Sequence, residues 1–172
     1  SDDGRVVVFE STAVGGSFHA FRAELDRAVP ILVDIGSTRI VAPALSRDGG
    51  IVAFASAEDL LGLNADRNSE IFLFDGSKLK QITRTSPSSS FSRLSDGSFQ
   101  PSVTGDGRIV VFSSNRDLNG QNADLSYEIF FYDTLDQTVR QLTNETAEHA
   151  ALSPKISADG SRVYYKRTAG GT

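Results

Sequence analysis

The sequence predicts an all-β protein: a tandem series of small four-stranded antiparallel sheets, about three and a half of them in 172 residues. Three observations carry this. A turn-then-strand signal recurs four times, as SDDGRVVVF from Ser1, SRDGGIVAF from Ser46, TGDGRIVVF from Thr104 and SADGSRVYY from Ser157. Its Asp-Gly pairs start at Asp3, Asp48, Asp106 and Asp159, so the repeats are 45, 58 and 53 residues long. The second and third copies align without a gap from Asp48–Asp75 onto Asp106–Asp133, with 16 of 28 positions identical. Apolar residues alternate or run together, and Gly, Ser and Asn interrupt often, so no segment shows helical spacing.

Each repeat reads as the same series of elements. A short segment with Pro and small residues comes first: PALS at Pro43, PSVT at Pro101 and PKIS at Pro154. Asp-Gly then makes a tight turn, because Gly tolerates positive φ and Asp bonds its own backbone. A β-branched and aromatic run follows, the composition of a buried strand. After a loop, EIFLFD or EIFFYD forms the next strand, and KLKQIT (78–83) or VRQLT (139–143) closes the sheet. Repeats near 1–45, 46–103 and 104–156 are complete in this reading, and 157–172 is partial. The first departs at STAVGGSFHAFRAEL, where its middle loop is much shorter.

Four antiparallel strands every 45–58 residues define a β-propeller blade. The stretch PSVTGDGRIVVFSSNRD, continued by EIFFYDTLDQTVRQLT, resembles the TolB-like, or WD40-like (PD40), propeller repeat. The resemblance covers nearly the whole chain and implies a propeller of six to eight blades. Three and a half blades do not close an ordinary ring, since rings hold roughly four to eight. Three arrangements follow: a fragment of a larger ring, a ring completed by a second chain, or ends that pair unusually. Open blade edges and apolar faces recruit partners, so self-association is expected, most simply as a two-fold homodimer.

Composition narrows the function. The net charge is −5 and the basic residues are scattered, which disfavours a nucleic-acid or anionic-lipid surface. No apolar run approaches the roughly 18 residues of a membrane span. Without Cys there is no disulfide framework, thiolate nucleophile or Cys-type zinc site. The opening at SDDGRVVVF, inside a repeat and without Met, reads as a processed or excised piece.

The candidate site is a polar loop repeated in register: Asp59, Asn64, Asp66 and Glu70 in the second repeat match Asp117, Asn122, Asp124 and Glu128 in the third, with Gly62 matching Gly120. One chemistry for acids and an amide close together is calcium binding, but the alternate-position spacing of a calcium loop is missing. The favoured reading is bracing: Asp and Asn cap turns, and each Glu, opening a strand, braces a neighbouring loop. No catalytic residues are assigned. His19 lies at strand spacing and His149 in a loop before a Pro-led strand, and there is no nucleophile elbow or phosphate loop. The Ser-rich segment 83–101 is the candidate mobile contact loop, and Asn144-Glu145-Thr146 fits a glycosylation sequon.

The expected function is a non-catalytic binding or scaffold module for a protein, a peptide or an envelope component, without a cofactor unless the loops hold calcium. The resemblance implies a periplasmic or extracellular location. A polysaccharide- or peptide-acting enzyme domain and a purely structural part of a larger repeat protein are the alternatives.

Overall fold

The computed structural model describes residues 1–14, 17–26, 31–37, 43–87, 96–146 and 148–169. All regular structure among them is β, in four consecutive antiparallel sheets. The first holds β1 (Val6–Val14), β2 (Ser17–Glu24) and β3 (Ile31–Ser37). The second is β4 (Ala44–Leu45), β5 (Val52–Ser56), β6 (Glu70–Phe74) and β7 (Leu79–Gln81). The third is β8 (Ser98–Val103), β9 (Ile109–Ser114), β10 (Glu128–Asp133) and β11 (Thr138–Gln141). The fourth pairs β12 (His149–Ile156) with β13 (Val163–Ala169). Within each sheet every strand pairs with its sequence neighbour, the meander of a propeller blade. The array is a partial propeller of three and a half blades. Each blade begins one strand ahead of its Asp-Gly turn, so blade two opens with β4, and blade one shows only the three strands that follow its turn.

The turn signal has a local explanation. Asp48 Oδ1 accepts the Gly50 N–H at 2.9 Å and the Ser46 hydroxyl at 2.7 Å, while Ser46 Oγ accepts the Ile51 N–H at 2.9 Å. Thr104 with Asp106 and Ser157 with Asp159 repeat the arrangement. Gly49 and Gly107 sit at φ +75° and +74°, and a Cβ at either would stand about 2.6 or 2.5 Å from a side-chain carbon of Val6 or Ile51 in the preceding blade. The turn therefore needs glycine for both its backbone and its close approach. Backbone bonds also link successive turns: Asp2 N–H donates to Arg47 O, Arg47 N–H to Gly105 O, and Gly105 N–H to Ala158 O, at 2.8–2.9 Å.

Side chains alternate between the two faces of each sheet, and in β5 and β6 both faces are buried. Phe54 stacks on Phe72 across β5 and β6, and Phe112 on Phe130 across β9 and β10, with centroids 5.6 and 6.1 Å apart. Each pair faces the preceding blade: Phe54 and Phe72 pack with Val8 and Ala20, and Phe112 and Phe130 pack with Ala53, Ala55, Ile71 and Leu73. The opposite face of blade three, through Val111 and Ile129, meets Ala151, Ile156 and Val163 of blade four. Each fully buried ring contributes about 2 kcal/mol of hydrophobic stabilisation, so the cores between sheets hold the array together.

The structure redraws several boundaries. His149 opens β12 instead of lying in a loop. Residues 98–101, read as part of a Ser-rich loop, belong to the inner strand β8, while 88–95 of that stretch lie outside the described residues. The loop reading rested on the Ser content of the stretch, and β8 itself is bulged. Gln100, before Pro101, has φ +55°, as does Ser153 before Pro154 in β12. Gln100 Oε1 accepts the Ser153 N–H at 2.9 Å, tying the two bulges across the blades.

Candidate functional site

One end of the array carries the Asp-Gly turns and the short turns after β6 and β10. The other carries loops 57–69 and 115–127 and the segments that leave each outer strand. The repeated polar residues all lie at this second end. Asp59 Oδ1 accepts the Asn64 N–H at 2.8 Å, and Asp117 Oδ1 accepts the Asn122 N–H at 3.1 Å. The buried Asn64 and Asn122 amides then close the loop by donating to the Asn68 and Ser126 carbonyls, both at 2.9 Å. Asp124 Oδ1 accepts from the Ser126 N–H and hydroxyl, and Asp66 holds the matching position in blade two.

Glu70 and Glu128 are fully buried at the starts of β6 and β10. Their partners are a segment that sequence analysis left unconnected to them. Glu70 accepts the Thr83 hydroxyl, and the Thr85 N–H and hydroxyl at 2.6 and 2.7 Å. Glu128 accepts the Thr143 hydroxyl, the Glu145 N–H and the Ser126 hydroxyl. Thr83 Oγ1 and Thr143 Oγ1 in turn accept the Ile71 and Ile129 N–H groups at 2.8 Å. Each Glu thus ties the start of one strand to the chain leaving the outer strand of the same blade. Burial pushes the Glu70 carboxyl above its usual range, against the pull of the threonine hydrogen bonds. The visible clue was that Gln-Ile-Thr (81–83) and Gln-Leu-Thr (141–143) recur in step with the two glutamates.

The residue before each Glu reaches the next blade. Ser69 bridges Gly97, accepting the Ser98 N–H at 2.7 Å and donating to Asp96 O at 3.1 Å, and Tyr127 O accepts the Ala151 N–H at 2.8 Å. Gly97 has φ +126°, and a Cβ there would lie 2.1 Å from Ser69 O. Arg116 donates to Asp96 Oδ1 at 2.8 Å and to Ser86 O at 2.6 Å, a largely buried ion pair that anchors the chain on both sides of 87–95.

For a cation, among the described residues no three His, Asp or Glu gather into a metal-holding group. His19 lies on β2 in blade one and His149 opens blade four, so the two do not share a blade. What the loops leave to solvent is their tips. Leu61 and Leu63, flanking Gly62 at φ +71°, are 40% and 43% exposed, while blade three carries Asn119 and Gln121 at the matching positions. A shallow recess of about 400 Å³ beside the blade-three loop is lined by Gln121, Gln141, Leu142, Thr143 and Asn144. Among the described residues, no helix is long and apolar enough to cross a membrane.

These blades, turns and inter-blade links define a β-propeller module. Its fold is that of the propellers seen in several solved structures. It is similar to TolB from Acinetobacter baumannii, with a TM-score of 0.66 and 21% identity over 99% of this chain and 37% of that one. The tricorn protease matches with a TM-score of 0.61 and 17% identity, over 94% of this chain and 14% of that one. The β-propeller domain of the Trilobed protease from Pyrococcus furiosus, described as having an open velcro topology, matches with a TM-score of 0.55 and 14% identity, over 87% and 42% of the two chains. This chain thus spans less than half of each. No family model matches it, and no curated protein matches it.

Proposed function

We propose that this chain is a non-catalytic binding module that engages a protein or peptide partner through the loop end of its blades. The observation that carries this is a division of labour within loop 57–69. Its polar residues hold the loop and blade, while Leu61 and Leu63 stand exposed at the tip. Exposed apolar residues on a rigidly braced loop suit partner contact, because little chain entropy is lost on binding. The likeness to TolB supports a protein partner in an extracytoplasmic compartment, a setting a Cys-free chain tolerates. Calcium is not required in this reading: chelator leaves the melting temperature unchanged, and a calcium-dependent rise would overturn that point.

Site-specific photo-crosslinking tests the proposal. A crosslinker at position 61 or 63 captures a defined envelope protein or peptide, and one at Ser77, at the opposite end, does not. Equal capture at both positions, or none at the loop tip, refutes it. Propellers in two of the similar structures come from proteases, so turnover of peptide substrates by the purified chain is the corresponding test of the enzymatic alternative.

A further inference from the structure

We propose that the groove between blades two and three, at the turn end, binds a small free carboxylate with an apolar body. The groove has a volume of about 430 Å³, within the range of small-ligand pockets. Ile51, Leu73 and Tyr132 line it, with Lys78 and Lys80 beside them. Lys80 crosses from blade two to blade three. Its ammonium donates to the Tyr132 hydroxyl at 2.8 Å and to Gln137 Oε1 at 2.9 Å, both neutral acceptors. Among the described residues, that leaves one ammonium N–H and the Tyr132 hydroxyl hydrogen next to each other. Two adjacent donors, one of them charged, suit the two oxygens of a carboxylate. Asp75, an acid lining the groove, is turned to its own turn: its Oδ1 accepts the Ser77 and Lys78 N–H groups at 3.0 and 2.7 Å and the Ser77 hydroxyl at 2.9 Å.

Blade three shows the same positions filled and neutralised. Leu73 aligns with Phe131, and Lys80, opposite Leu73 across the strand pair, aligns with Arg140, opposite Phe131. Arg140 lies over the Phe131 ring, 6.0 Å from its centroid, and pairs with Asp136 at 3.4 Å. Asp133 precedes Arg140 by seven residues, whereas Asp75 precedes Lys80 by five, so the blade-two turn is shorter and has no counterpart of Asp136. Blade two thus sets a smaller side chain on the groove and a cation whose bonds go to neutral groups. Because Lys80 spans the groove from wall to wall, the space suits a short body and not a running chain, which favours a free acid over a peptide segment. The site lies at the end opposite Leu61 and Leu63 and is independent of the partner proposed there.

The test is titration of the whole chain with hydrocinnamate, followed by the NMR signals of Leu73 and Tyr132, with the corresponding amide as the uncharged control. The proposal expects saturable shifts at those two residues at millimolar ligand, and binding at least about tenfold weaker for the amide. Lys80→Gln, at an exposed position, weakens binding of the acid by a similar factor, and Arg140→Gln leaves it unchanged. Leu73→Phe, which installs the blade-three ring, removes binding from a chain that circular dichroism shows to be folded. Absence of saturable binding overturns the proposal. So do equal affinities for acid and amide, shifts confined to the loop end, or binding retained in a folded Leu73→Phe chain. Equal losses in the Lys80 and Arg140 variants overturn it too, since they signal diffuse charge. Should Leu73→Phe fail to fold, the Lys80 variant decides.

Discussion

The buried carboxylate of Glu70 accepts the backbone N–H of Thr85 at 2.6 Å, across fifteen residues of chain, and Glu128 bonds the Glu145 N–H in the same way in the next blade. A strand start and a strand exit are thereby locked in one blade, and the loop between sheets is held from beneath. Of the repeated acids, Glu70 and Glu128 form that lock, while Asp59 and Asp117 hold the loops through the Asn64 and Asn122 N–H groups.

Replacing Glu70 by Ala leaves the Thr85 N–H and the Thr83 hydroxyl without their acceptor in a buried setting. The expected loss is roughly 2–3 kcal/mol, or about 5–10 °C in Tm for a domain of this size. Glu128→Ala behaves alike. Thermal unfolding followed by circular dichroism checks both.

Acid titration separates two kinds of carboxyl. Glu70 is raised by burial, so the folded state holds its proton more tightly than the unfolded state. Its contribution to stability therefore falls as pH rises from its ordinary value through the folded one. The turn carboxyls run the other way. Asp48 and Asp106 are lowered chiefly by the Ser46 and Thr104 hydroxyls, and Asp159, lowered to about 2, by Ser157. Their stabilisation is complete above the ordinary carboxylate value near 3.8 and is lost as pH falls below it, for Asp159 as pH falls toward 2. Glu70→Gln should thus compare more favourably with the unsubstituted chain at neutral pH than at pH 4. Asp159→Asn should flatten the loss of stability below pH 4. Melting temperatures across pH 2–8 decide both.

Arg116→Ala removes the cation paired with the Asp96 carboxylate, which is 1% exposed. Removing one partner of such a pair costs about 3–5 kcal/mol. Arg140→Ala, whose pair with Asp136 is largely exposed, should change stability by less than about 0.5 kcal/mol. Urea unfolding of the two variants gives the contrast.

Gly97→Ala and Gly62→Ala both place a side chain at positive φ, but only the first drives a Cβ into a backbone carbonyl. The Gly62 change should cost about 1 kcal/mol, within the range for left-handed backbone strain. The Gly97 change should cost clearly more and loosen the join between blades two and three. Hydrogen exchange at Ser98 reads that join directly, because its N–H is bonded to Ser69 O.

The blades were legible in the sequence because their signals are local. An Asp-Gly turn, a β-branched run and an Ile-Phe strand each declare themselves within a few residues. The threonine partners of Glu70 and Glu128 were not, because they meet the acids only after an intervening hairpin. The start of β8 lay inside the stretch read as a Ser-rich loop, where Asp96-Gly97 carries the letters of the turn signal although Gly97 serves a close approach to Ser69 and Asp96 an ion pair. Exposure at Leu61 and Leu63 was equally unreadable, since an apolar residue in a loop carries no mark of whether the fold covers it.

The central claim is that braced acids hold the loops while the leucines at the tip are free to make contact. The most direct test is the unfolding midpoint of Glu70→Ala/Glu128→Ala beside that of Leu61→Ser/Leu63→Ser. The account predicts a drop of about 10 °C or more for the first pair and a midpoint within a degree or so of the unsubstituted chain for the second, as for exposed positions. Equal losses in the two would contradict it, since the leucines would then be part of what holds the fold.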